Sequence, residues 1–215
     1  MSNKTIQILL LIFILGFFIS QGTGKLIRFS EKQSKKENVN DSYESIIASI
    51  YDDVKYFPVA EFSNHKEWTV SYENTWMAER NYGGKSGHEG TDLIATKNER
   101  GLYPIVSMTD GTVTRKGWLE KGGYRIGITT EKGVYFYYAH LASYADLEVG
   151  DEVKAGDILG FMGDSGYGPE GTVGQFVVHL HLGIYVYPEG KEISINPYSI
   201  LRYIENKTVK CYTEK

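Results

Sequence analysis

The chain has 215 residues, 23 basic against 27 acidic side chains, a net charge of −4 and 41% apolar residues. That length suits one domain or one domain with an appendage, and the apolar share excludes wholesale disorder. The acidic balance excludes a nucleic-acid binder held by phosphate neutralisation, and the single cysteine, Cys211, excludes an internal disulfide, a cysteine-built zinc ribbon and a CxxC redox pair.

Charge is divided unevenly. Residues 1–54 carry six basic and six acidic groups, so the whole −4 falls in residues 55–215. After MSNKT, residues 6–19 (IQILLLIFILGFFI) form an apolar run broken only by Gln7 and Gly16. A spanning helix takes about 20 apolar residues, so the run suits a signal peptide. Lys4 is its basic flank, and Ser20 and Gly22 are small residues suited to cleavage. Continued through Gly24 to Ile27 the helix reaches spanning length, so residues 1–27 are expected to be a signal peptide or a membrane anchor. No cysteine follows the run, which argues against a lipoprotein. Lys25, Arg28, Lys32, Lys35 and Lys36 do follow it, and the positive-inside tendency pulls against export there. Export remains the expectation, because a retained chain has little use for such a segment.

Residues 28–42 are polar and aperiodic and read as a tether. Residues 43–54 place Ile46, Ile47, Ile50 and Tyr51 on one face of a short amphipathic helix. From Tyr56 onward glycines separate short runs rich in Val, Ile, Tyr and Thr. In YRIGITT, Tyr124, Ile126 and Ile128 alternate with Arg125, Gly127 and Thr129, and the EKG turn before VYFYYAHL predicts a β-hairpin. In this part of the chain a helix is expected only at 198–205 (YSILRYIE). The fold class is therefore mainly β: a small antiparallel sheet or barrel-sandwich domain, preceded by the apolar segment and the short helix. The boundaries are 1–27, 28–54 for tether and helix, 55–205 for the domain and 206–215 for a C-terminal tail.

The run VGDEVKAGDILGFMG (149–163) has the turn pattern of lipoyl and biotinyl carrier domains. A carrier needs its lysine at an exposed hairpin tip, whereas Lys154 lies inside the turn motif, so a structural turn is expected.

Four of the five histidines fall in three segments, GHEGTD (87–92), YAHL (138–141) and VHLHL (178–182). Strand residues at i and i+2 share a face, so His179 and His181 project together while Val178, Leu180 and Leu182 turn inward. Two adjacent imidazoles are costly as core filler. His88 and Asp92 lie four apart among Gly83, Gly84, Gly87 and Gly90, which argues for irregular backbone rather than helix. With His181 they could supply three zinc ligands and leave the fourth position for water. The helical H-E-x-x-H pattern begins at His88–Glu89 but fails, because position 92 is aspartate. His65 has no partner at motif spacing, and Trp68, Trp76 and Trp118 read as packing.

HxxxD, YAHL and HxH in this order resemble the zinc endopeptidases that cut bacterial peptidoglycan cross-links, the family of lysostaphin and LytM. The resemblance covers about residues 56–200, including WMAERNYGGKSGHEGTDL, PIVSMTDGTV, the GDEVKAGDILG turn, HLHL and the closing INP. It implies a small antiparallel core crossed by a cleft, with one zinc held by His88, Asp92 and His181. It further implies that His179 is general base to a zinc-activated water, that His140 helps orient that water and stabilise the transition state, and that Tyr82 lies near the developing oxyanion. The implied partners are peptidoglycan stem peptides or cross-bridges, and the membrane if the N-terminal segment is uncleaved; no nucleic acid is implied. Location follows as extracytoplasmic, secreted or anchored facing the wall. The rival reading is a membrane-tethered, non-catalytic scaffold of the same fold, as in sporulation or division proteins. Such relatives lose one or more of the five positions, and here His88, Asp92, His140, His179 and His181 are all present. The absence of a wall-binding module after residue 205 leans toward stem-peptide cross-links over glycine bridges.

Overall fold

The computed structural model describes residues 44–80 and 86–213. The chain divides into two compact units, Met1–Ile47 and Ala48–Lys215, and of the first only the start of one helix is described. The segment 1–27, the tether 28–42 and Tyr82 lie outside the described residues. Among the described residues no helix is long and apolar enough to cross a membrane.

Helix α1 is described over 44–53. Ile50 is fully buried, and Tyr51 meets Tyr203 edge-on at 5.2 Å. Short strands β1 (Glu61–Phe62) and β2 (Val70–Ser71) follow, then a ribbon of β3 (Glu79–Arg80) and β4 (Ser86–Gly87). Next come β5 (Thr91–Ala95), β6 (Pro104–Val106), and the long strands β7 (Gly111–Leu119), β8 (Gly123–Thr129) and β9 (Tyr135–Tyr144). After β10 (Glu152–Val153) and β11 (Ile158–Met162), the chain runs through β12 (His179–Val186), β13 (Ile193–Ile195), helix α2 (Pro197–Ile204) and β14 (Lys210–Cys211). Asn196 caps α2 by accepting the Tyr198 amide, and Pro197 opens its first turn.

The mainly β expectation holds. The principal sheet runs β10-β7-β8-β9-β12-β5-β2, with β13 on β12 and β11 bridging β9 and β6. The predicted hairpin is β8–β9, closed by Thr130 and Gly133. Strand β9 changes partner along its length: Tyr135–Ala139 pair with β12, and Leu141–Tyr144 pair with β11.

One sheet face makes the core. Leu93, Ile126, Ile128, Phe136, Tyr138, Leu180, Leu182 and Ile184 are each fully buried, and each such side chain stabilises by about 1.5–3 kcal/mol. The buried Tyr138 hydroxyl accepts the Met108 amide at 3.0 Å, so its polar tip is not wasted. Beyond α2, the segment expected as a tail lays Lys210–Cys211 parallel to Glu61–Phe62. There Glu61 receives Lys210, Lys66 and Thr208.

Candidate metal centre

The opposite face of the sheet carries the polar cluster. In the β12–β5 ladder His181 stands opposite Asp92, and in the β12–β9 ladder it stands opposite Ala139. Directly opposed residues share a face, so the small Ala139 leaves room beside the imidazole. His179 points the same way two residues earlier, as the strand period requires. His88 arrives from the irregular stretch between β4 and β5, where Asp92 itself lies within β5. A Cβ on Gly90 would lie 2.5 Å from His181 Cε1 and 2.6 Å from the Leu182 carbonyl oxygen, so only glycine lets this backbone pass beneath the ring.

Three donor atoms converge. His181 Nδ1 lies 2.9 Å from Asp92 Oδ1 and 3.0 Å from His88 Nε2, and His88 Nε2 lies 3.2 Å from the same Asp92 oxygen. His88 Nδ1 contacts the Thr75 carbonyl oxygen at 3.2 Å and the Thr75 hydroxyl at 3.0 Å. A carbonyl only accepts, so Nδ1 carries the proton and Nε2 presents its lone pair to the cluster. Burial alone would raise the Asp92 carboxyl, but the adjoining His181 and His88 side chains outweigh it and hold the group well below the usual carboxylate range.

Zinc fits this set. Bonds of about 2.0–2.1 Å to tetrahedral ligands put donor atoms about 3.3 Å apart, close to the three separations found. Two imidazole nitrogens and one carboxylate oxygen are ordinary zinc donors, and three protein ligands leave a position for water or substrate. The Thr75 contacts are the outer support that a ligating histidine normally has.

His179 and His140 border the cluster. His179 Nδ1 donates to the Val177 carbonyl at 2.9 Å, and its Nε2 lies 3.9 Å from Asp92 Oδ1. His140 reaches the same side by a backbone irregularity. Its φ is +63°, and a β-bulge sets Ala139 and His140 against Arg125 alone. Without the bulge, alternation from Ala139 would turn His140 into the core; the extra residue re-aims it. Its Nδ1 donates to the Ser165 carbonyl at 2.7 Å. Burial, then the neighbouring His179 and His181, push the His140 pKa down. In that neutral form its Nε2 accepts rather than donates. Phe176 meets both rings edge-on, at 4.7 Å from His140 and 5.0 Å from His179, and Tyr167 stacks beyond.

The cluster opens into a cleft of about 550 Å³ whose lining includes His88, His140, His181, Tyr137, Tyr185 and Arg125. Its floor is tyrosine laid over glycine: a Cβ on Gly127 would strike the Tyr135 ring at 2.2 Å, and one on Gly183 the Tyr185 ring at 2.7 Å. The structure thus brings together five of the six predicted site residues. Thr75, Ser165, Phe176 and Arg125 were not foreseen as site residues. The other histidine, His65, lies away from the cluster and stacks on Trp68 at 3.7 Å.

Comparison with known proteins places this geometry among relatives. The profile of peptidase family M23 matches residues 86–197. The chain is 44% identical over 133 residues to the L-Ala–D-Glu endopeptidase of Bacillus subtilis, covering 61% of this chain and 40% of that protein. It is 34% identical over 113 residues to the glycyl-glycine endopeptidase ALE-1 of Staphylococcus capitis, covering 49% and 29%. The chain thus spans well under half the length of these two relatives. A crystal structure from Ruminococcus gnavus, described as a candidate glycyl-glycine endopeptidase lytM, superposes with a TM-score of 0.75 at 63% identity, over 80% of this chain and 68% of that one.

Proposed function

The chain belongs to peptidase family M23, and on that premise we propose that it is a zinc-dependent endopeptidase that hydrolyses peptide cross-links or stem peptides of bacterial peptidoglycan. The observation that carries this reading is the convergence of His88, Asp92 and His181 at the edge of a cleft that His140 also lines, with His179 beside them. His88, Asp92 and His181 hold the metal. Zinc, when bound, supplies a Lewis acid that polarises a carbonyl and lowers the pKa of water towards about 7.

The remaining work falls to the protein. His179 is the general base: its Nδ1–H is anchored on the Val177 carbonyl, which fixes Nε2 as the proton-accepting atom. His140 Nε2 accepts a second hydrogen bond and orients the attacking water, and can donate to an oxyanion only after gaining a proton. Phe176 and Tyr167 shield both imidazoles on their outer side. Tyr82 is retained as an oxyanion donor. The domain at 55–205 acts outside the cytoplasm, exported by residues 1–27, which serve as signal peptide or anchor.

Two relatives are named for different bonds, L-Ala–D-Glu and glycyl-glycine. Mass spectrometry of muropeptides released from purified peptidoglycan by the zinc-loaded chain, beside its His179→Ala variant, identifies the bond. Products from the first and none from the second support the hydrolase. No products from either, with zinc bound, favour a tethered scaffold of the same fold.

A further inference from the structure

Arg125 sits in the cleft with an unmet requirement. Its Nε and Nη1 are shielded from solvent, and among the described residues neither has a hydrogen-bond partner. Leaving buried charged donors without acceptors is costly, so a fold that does so in a cleft has reason to expect an acceptor from outside.

Arg125 also stands level with the metal ligands. It opposes the Ala139–His140 bulge, and Ala139 opposes His181 across the next ladder. Its backbone is therefore two strand spacings, about 10 Å, from that of His181. Between them on this face lies the methyl of Ala139, flanked by the rings of Tyr137 and His140, which stand 5.9 Å and 6.0 Å from that of His181. On the far side Arg125 faces Gly117 in β7, which adds no side chain. Arg115 and Lys121 line the same cleft. Of the acidic lining, the Glu192 carboxylate accepts the Tyr187 hydroxyl at 2.9 Å. The cleft lining thus sets three cationic side chains, Arg115, Lys121 and Arg125, against two carboxylates, Glu89 and Glu192.

We propose that Arg125, supported by Arg115 and Lys121, is a carboxylate-recognition residue, so that the preferred peptide carries a free carboxylate on the residue beside the bond presented to His181 and His179. This rests on the peptidase reading and deepens it. A planar guanidinium matches a carboxylate through paired N–H donors, which a neutral glycine bridge cannot reward.

The test uses two peptides, acetyl-L-Ala-D-Glu-L-Lys-amide with its glutamate carboxylate free, and the same peptide with that group as carboxamide. Dissociation constants are measured for the zinc-loaded chain carrying His179→Ala, with and without Arg125→Gln, and cleavage is followed separately in the parent chain. Charge-assisted hydrogen bonds predict about 10–100-fold tighter binding of the free acid, and near equality of the two peptides after Arg125→Gln. Arg125→Lys, which keeps charge and bulk, should recover part of the preference and covers the case in which the glutamine variant misfolds. Equal binding of both peptides by the arginine-bearing chain, or a preference that survives Arg125→Gln, overturns the proposal. Arg125-dependent binding without cleavage of any peptide or peptidoglycan by the parent chain would uphold it while overturning the peptidase reading.

Discussion

His140 and His179 are anchored alike: their rings lie 4.6 Å apart, and each spends its Nδ1–H on a backbone carbonyl, that of Ser165 or of Val177. Both Nε2 atoms therefore present lone pairs, and the proposed ligand set of His88, Asp92 and His181 does not call on either to hold the metal. His179→Ala and His140→Ala should each keep a full complement of zinc while turnover falls by about 10²–10⁴-fold, the usual worth of a positioned proton acceptor. Metal content and peptidoglycan turnover measured on the same preparation check this; loss of zinc from either variant contradicts the division of roles.

Asp92→Ala should fail in the opposite order. Removing the carboxylate leaves two imidazole nitrogens 3.0 Å apart with nothing to balance the cation between them. Zinc is released first, and activity returns only under excess metal if at all. Equilibrium dialysis against a competing chelator gives the affinity directly.

Two neighbours of the ligands should act through zinc affinity without touching the metal. Thr75→Val removes the hydroxyl at His88 Nδ1 but spares the backbone carbonyl, so the expected weakening is about tenfold. Gly90→Ala drives a methyl into the His181 ring and should cost more, about 100-fold, with the far-ultraviolet spectrum unchanged. Zinc titration of both variants ranks them.

Acid should loosen the β1–β14 pairing. Hydrogen bonds from Lys210, Lys66 and Thr208 lower the Glu61 carboxyl from 4.5 to about 2. The stability it lends is complete above about pH 4.5 and is lost as pH falls towards 2. The site is partly exposed, so its worth is at most about 1 kcal/mol. Urea midpoints of the parent chain and Glu61→Gln should differ at pH 7 and converge near pH 2.

Much of this was legible in the sequence, for reasons that differ by residue. The period of two in VHLHL fixed a shared face for His179 and His181, and Leu180 and Leu182 are buried as that pattern demands. The glycines around His88 signalled irregular backbone, although Asp92 lies within a strand. His140 was reached only through the family resemblance. Strand alternation places it in the core, and no local pattern announces a left-handed histidine. Arg125 was set with Gly127 and Thr129 on the outward side of YRIGITT, where an arginine reads as a solvated residue. What makes that side a cleft is tyrosines from β9 and β12, and single-strand patterning carries no information about such neighbours. Ser165 acts through its backbone carbonyl and Thr75 partly so, and a carbonyl has no sequence signature at all.

The parallel contact of β1 with β14 also has a kinetic meaning. Glu61 and Lys210 are separated by 149 positions, so joining the two strands closes a loop of nearly the whole domain, a step expected late in folding. A latch that closes this late is expected to be absent from the folding transition state. Mutations there should leave the rate of folding nearly untouched and act instead on how long the finished molecule survives before it opens.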